Sequence, residues 1–172
     1  SEDKTKNKCV VKMNEYWHDI ANKFPKIKLD LRYIMAPMVN QSDPCFRSLC
    51  LKYGATCVYT EMLYSYKIVN CEGYLRNRLQ VIDHTFCGKN YVSRPLIAQI
   101  CGNDPTTLSE CILKLREYSK ICPIEGLDFN LGCPQDRAKD GLYGSYLLDR
   151  CQWTRVVECV KPITTALQFD NH

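Results

Sequence analysis

Cys133 stands on a Gly-Cys-Pro corner within "GLDFNLGCPQDRAKDG" (126–141), just past an alternation of Leu127 and Phe129 against Asp128 and Asn130. A side chain on a tight turn is presented to its surroundings. A thiol has a reference pKa of about 8.5, so it keeps its proton near neutrality and can serve as a general acid. The competing reading is a packed thiol, because free cysteines are commonly buried as small hydrophobes. His18, His84 and His172 are scattered and none follows a strand. That argues against a thiol protease, whose cysteine needs a base. In "LIAQICG", Gln99 interrupts an apolar run. A buried amide must be paired, so Gln99 is either a satisfied core residue or an amide aimed at the edge of a heteroaromatic ligand. Asn130 poses the same question one strand later. No P-loop and no G-x-G-x-x-G pattern follows any strand. No two cysteines have zinc-knuckle spacing, so no metal site is expected.

These residues need elements to carry them. The apolar residues Val10, Met13, Trp17, Ile20, Ala21 and Phe24 fall at helical spacing, and Pro25 ends that segment. A strand–helix rhythm follows. Strands are expected at 32–38, 55–60, 95–102 and 126–132, with "PITTALQF" (162–169) as a fifth. Helices are expected at 42–54, capped by Ser42 or Asp43, and at 104–119, capped by Asp104. One or two more are expected over 144–160. Residues 63–93 read as irregular, with a short helix near 75–79. Alternating near-continuous apolar strands and helices predict a parallel sheet with helices outside, as an open doubly wound sheet or a (β/α) barrel. Chemistry then belongs just past the strand C-termini: Ala36-Pro37-Met38, Thr60-Glu61-Met62, Gln99 to Gly102, and Asn130 to Pro134.

The bulk numbers narrow the class. The 172 residues suit one domain, and 45% hydrophobic with 24% charged residues is ordinary globular usage. Twelve cysteines fall below the density of a disulfide scaffold, and many occupy apolar positions, which favours a reduced, intracellular chain. No apolar run spans a bilayer, and the charged start is no secretory signal. A net charge of +4 is compatible with nucleic acid but does not demand it.

Three segments in order, "APMVNQSDPCFRSLCLKYGATCVYTEML" (36–63), "RPLIAQICGNDP" (94–105) and "LDFNLGCPQDRAKDGLYGSYLL" (127–148), resemble the tRNA-dihydrouridine synthases. "MVNQSDPCFR" and "KDGLYGSYLL" look most like the eukaryotic branch acting at tRNA positions 16 and 17. The resemblance covers about Asn14 to Ile163. It implies an FMN-dependent (β/α)8 TIM barrel in the α/β class that reduces a tRNA uridine to dihydrouridine with NADPH. It implies Cys133 as the acid and Asn130 as a contact to the target base. Pro37, Met38 and Val39 would lie under the flavin, and Gln99 at its ring edge. Arg137 and Lys139 would meet tRNA phosphates, or simply be solvated charges. Such a barrel takes about 250 residues. The chain therefore reads as its N-terminal half, about four and a half βα units over 31–172, after an extension and packing helix at 1–30. Exposed barrel edges would invite self-association. The resemblance places the protein in the cytoplasm or nucleus. A non-catalytic tRNA-interacting fragment is the alternative, and a metabolite-reducing flavin barrel fits the Asn130–Pro134 element less well.

Overall fold

The computed structural model describes residues 29–79, 93–119 and 122–168. The expected helix at 10–24 and the boundary near residue 30 lie outside or at the margin of these residues. Five short strands, all parallel, build one sheet: β1 Ile34–Met35, β2 Cys57–Tyr59, β3 Leu63–Tyr64, β4 Leu96–Cys101 and β5 Gly126–Phe129. Between them run α1 Pro44–Lys52, α2 Ser65–Asn70, α3 Tyr74–Leu79 and α4 Pro105–Ser119. After β5 come α5 Asp136–Asp140, two 3-10 turns (Gly144–Leu148 and Arg150–Gln152) and α6 Trp153–Gln168. This is the sequential parallel strand–helix order of part of a (β/α)8 barrel, the expected fold class.

β2 and β3 lie one after the other along a single edge of β4. Val58 and Tyr59 pair with Leu96 and Ile97, and Leu63 and Tyr64 pair with Ile100 and Cys101. Residues 60–62 therefore stand opposite only Ala98 and Gln99, which is a one-residue bulge. Gln99 N–H meets the Thr60 hydroxyl at 3.1 Å there. β5 pairs with the other edge of β4, Gln99 opposite Asp128.

β4 is buried along its whole length. Leu96, Ala98 and Ile100 join the helix-side core with Val58, Leu63, Leu108, Cys111, Ile112 and Leu115. By the period of two, Ile97, Gln99 and Cys101 face the opposite side. α4 buries Leu108, Cys111, Ile112, Leu115 and Ser119, one helical stripe, and Asp104 caps it by accepting from Thr107 N–H at 2.7 Å. Each fully buried leucine or isoleucine of that stripe stabilises the fold by about 2 kcal/mol. α1 is capped by Asp43, which accepts from Phe46 N–H, with Pro44 in its first turn.

Three expectations change. The strand expected over 32–38 shrinks to Ile34–Met35; only Met35 is buried, because among the described residues β1 pairs with β2 alone. The stretch from residue 63 is not irregular but holds β3, α2 and α3, the last where a short helix was expected. Residues 80–92 lie outside the described residues. The segment at 162–168 is not a fifth strand: α6 runs through it. Ile163 and Thr164 read locally as strand formers, but Cys159 and Ile163, one turn apart, both enter the core. The Thr164 hydroxyl also bonds back to the Lys161 carbonyl at 3.0 Å, near the interruption caused by Pro162.

Candidate active site

The C-terminal ends of the strands meet a small cluster of their own. Met62, Cys101, Ala138 and Tyr143 are buried together, and Val39, Tyr64, Cys133 and Tyr146 pack against them. The cluster thus joins the segments following β1, β2 and β5 with Tyr64 of β3, Cys101 at the end of β4, α5 and the first 3-10 turn.

After β1 the chain turns at Pro37–Val39, all half-buried. Met38 N–H donates to the Ser42 hydroxyl at 2.8 Å, and that hydroxyl donates to the Ala36 carbonyl at 3.0 Å. Asn40 takes a left-handed φ of 60°, and its N–H donates to Glu61 Oε2 at 3.2 Å. Glu61, on the bulge, is buried and receives Arg78 Nη1 at 2.8 Å on one oxygen and 2.9 Å on the other. The bulge aims Glu61 at the β1 turn, and Arg78 balances its charge.

Gln99 is buried, and its amide is engaged at both ends. Nε2 donates to Asp128 Oδ2 at 2.7 Å, and Oε1 accepts from Asn130 Nδ2 at 3.0 Å. Asn130 Oδ1 accepts from Gly132 N–H at 3.1 Å and Cys133 N–H at 3.0 Å. The order has a physical cause. A carboxylate only accepts, so Asp128 fixes which end of Gln99 faces it. Gln99 then fixes Asn130, whose oxygen is left to hold the Cys133 corner.

Cys133 is half-buried beside Cys101, whose own thiol is pushed up to about 12, first by burial and then by the neighbouring Cys133. Tyr143 and Tyr64 meet edge to face at 5.7 Å between ring centroids. Burial first, then the Tyr64 hydroxyl, pushes the Tyr143 phenol well above its ordinary range. Lys67 Nζ lies 5.1 Å from the Tyr64 ring centroid. Arg137 is exposed and is held further toward its charged form by a hydrogen bond with the Tyr64 side chain. Lys139 is exposed on the same short helix.

The structure therefore brings Val39 and Cys133 into one cluster and ties Gln99 and Asn130 to the Cys133 corner. Pro37 and Met38 form the adjoining turn, whereas Arg137 and Lys139 stay at the rim. Sequence reasoning gave no role to Asp128, Arg78, Tyr64 or Tyr143, and marked Glu61 only as part of a strand end. An aspartate inside the strand "LDF" was the one available sign for Asp128. Two amides at adjacent strand ends over an apolar floor suit a flat heteroaromatic group with donors and acceptors on its edge. Gln99 keeps a second N–H and a second lone pair for such a group beside its bonds to Asp128 and Asn130. Among the described residues no three acidic, histidine or cysteine side chains cluster as metal ligands, and no helix is long and apolar enough to cross a membrane.

Comparison with known proteins bears on this strand-end mouth. Residues 34–170 match the family model described as dihydrouridine synthase. A Saccharomyces cerevisiae tRNA-dihydrouridine(16/17) synthase [NAD(P)(+)] is 38% identical over 126 residues, 73% of this chain and 27% of the yeast protein. A rat tRNA-dihydrouridine(16/17) synthase [NAD(P)(+)]-like protein is 37% identical over 116 residues, 67% of this chain and 24% of its own. The tRNA-dihydrouridine(20/20a) synthase of Escherichia coli K12 is 29% identical over 133 residues, 76% of this chain and 33% of its own. The chain thus spans about a quarter to a third of these relatives, and eukaryotic and bacterial members both match. With the model's match running from β1 to the end of α6, over every element that frames the Cys133 corner, the chain belongs to the dihydrouridine synthase family.

Proposed function

We propose that residues 31–172 carry the FMN-binding catalytic face of a tRNA-dihydrouridine synthase, with 1–30 as an extension, and that the target is a D-loop uridine at position 16 or 17. Family membership supports the reaction class, and the two eukaryotic relatives quoted above share the 16/17 designation. The observation that carries the reading is the held Cys133 corner: its N–H is fixed by Asn130, and its thiol lies in the strand-end cluster.

When bound, reduced FMN would supply the hydride for C6 of the uracil, with NADPH as its reductant. Cys133 supplies the proton to C5, so the C5–C6 double bond becomes single and the thiolate left behind regains a proton from water. Gln99 and the Pro37–Val39 backbone orient the flat ring, and Asn130 keeps one amide N–H for the base. Arg137 and Lys139 offer the rim charge to tRNA phosphates. The base must leave its stack to enter the mouth. Among the described residues β1 and β5 lie at the edges of the sheet, and these are the surfaces through which copies would associate.

The second reading is a non-catalytic tRNA-interacting segment, favoured by the two bonds that already hold the Gln99 amide to Asp128 and Asn130 within the protein. Flavin absorbance of the purified chain after incubation with FMN and desalting separates the two. A bound band, followed by dihydrouridine formation on tRNA that Cys133→Ala lowers at least about 100-fold, selects the first reading. A colourless protein selects the second reading. Bound flavin with undiminished turnover in Cys133→Ala removes Cys133 from the chemistry.

A further inference from the structure

The Cys133 corner is tied at its carbonyl end as well, by a segment so far without a role. Ser145 N–H donates to the Cys133 carbonyl at 3.1 Å, and the Ser145 hydroxyl donates to the same oxygen at 3.0 Å. A carbonyl oxygen has two lone pairs, so its bonding capacity is filled. The Tyr146 hydroxyl donates to the next carbonyl, that of Pro134, at 3.1 Å.

Gly144 makes the approach feasible. Its φ is +65°, and a Cβ built there would lie 2.6 Å from the Cys133 oxygen, 2.9 Å from its Cβ and 3.1 Å from its nitrogen. Those neighbours are backbone and Cβ, which cannot swing aside as a flexible side-chain tip can. Glycine is therefore required twice, for the left-handed backbone and for the contact. The 3-10 turn that carries the pair is anchored by burial of Gly144 and Leu147. The Ser145 hydroxyl does not serve its own helix start. It reaches a residue twelve positions earlier.

We infer that Gly144 and Ser145 are positioning residues that lock the Cys133 backbone, so that the thiol stays in the strand-end mouth. The catalytic consequence rests on the reading of Cys133 as the acid; the lock itself does not.

The test is iodoacetamide alkylation of the full chain, read thiol by thiol by peptide mass spectrometry, with exposed Cys151 as internal reference. Freeing the half-buried corner exposes its sulfur to reagent. Ser145→Ala and Gly144→Ala are expected to raise the Cys133-to-Cys151 rate ratio about fivefold, the scale of one lost hydrogen bond. Ser145→Thr keeps the hydroxyl and is expected to restore the ratio. An unchanged ratio in Ser145→Ala, or equal ratios in the Ala and Thr variants, overturns the lock even if Gly144→Ala does not fold. In the dihydrouridine assay Ser145→Ala is expected to lower kcat about tenfold with little change in KM. A Cys133→Ala chain with full turnover would defeat the acid reading alone, leaving the alkylation ratio to judge the lock.

Discussion

Asp128 shows how one acceptor-only group can set a direction through two amides. Its carboxylate takes the Gln99 Nε2–H, so Gln99 Oε1 must face Asn130, and Asn130 Oδ1 is left for the Gly132 and Cys133 N–H groups. Removing the acceptor leaves a buried amide donor unpaired. Asp128→Ala is expected to lower unfolding free energy by about 1–3 kcal/mol in urea titrations. Asp128→Asn, which can still accept but can also donate, should lose less stability while relaxing the direction. Its alkylation profile should therefore show a more reactive Cys133. Equal alkylation of Cys133 in wild type and Asp128→Asn would sink the directional argument. None of this order could be read along the chain, because Gln99 and Asp128 are 29 residues apart and meet only through strand register.

At the scale of elements, the bulge between β2 and β3 places Glu61. Without the extra residue opposite Ala98 and Gln99, the β2 and β3 pairings would be one continuous strand. Residues beyond the insertion would then exchange faces. The bulge lets Thr60 take the Gln99 N–H while Glu61 reaches both Asn40 N–H and Arg78. Glu61→Ala strips a largely buried partner from Arg78 and is expected to cost about 3 kcal/mol, at the low end for such pairs because Arg78 is partly exposed. A double-mutant cycle with Arg78→Ala should give a coupling of at least about 1 kcal/mol. A coupling near zero would mean that the two side chains act separately. The Thr60-Glu61-Met62 stretch was visible in the sequence as a strand end. The bulge was not, since its count depends on β4.

For the whole molecule, the buried thiols tie stability to pH. Burial disfavours the thiolate and pushes Cys101 and Cys111 from 9.0 up to about 12, and Cys122 up to about 11. The folded chain therefore holds these protons to higher pH than the unfolded chain does. Their stabilising contribution is complete below about pH 9 and is lost as pH rises through 9 toward 11 to 12. Urea midpoints should fall between pH 8 and pH 10.5, and Cys111→Ala should show a smaller fall than wild type because one such group is gone. Identical falls in the two proteins would place the alkaline sensitivity elsewhere.

The sequence by itself determined what depends on neighbours along the chain. Near-continuous apolar runs, the Asp43 and Asp104 caps and the proline starts set the order of strands and helices. From that order came the parallel sheet and the strand ends where chemistry should lie. The Gly-Cys-Pro corner singled out Cys133 for the same reason, since a turn is a local event. Tertiary structure decided what depends on register and burial. It turned 162–168 into helix, because a core contact at Ile163 outweighs the β-branched residues around it. It also shortened β1, set the bulge, and brought Asp128, Gln99, Asn130, Gly144 and Ser145 around one cysteine. Those contacts cross strands and loops, and the free energy that selects them comes from pairing polar groups once the apolar core has fixed where each strand lies.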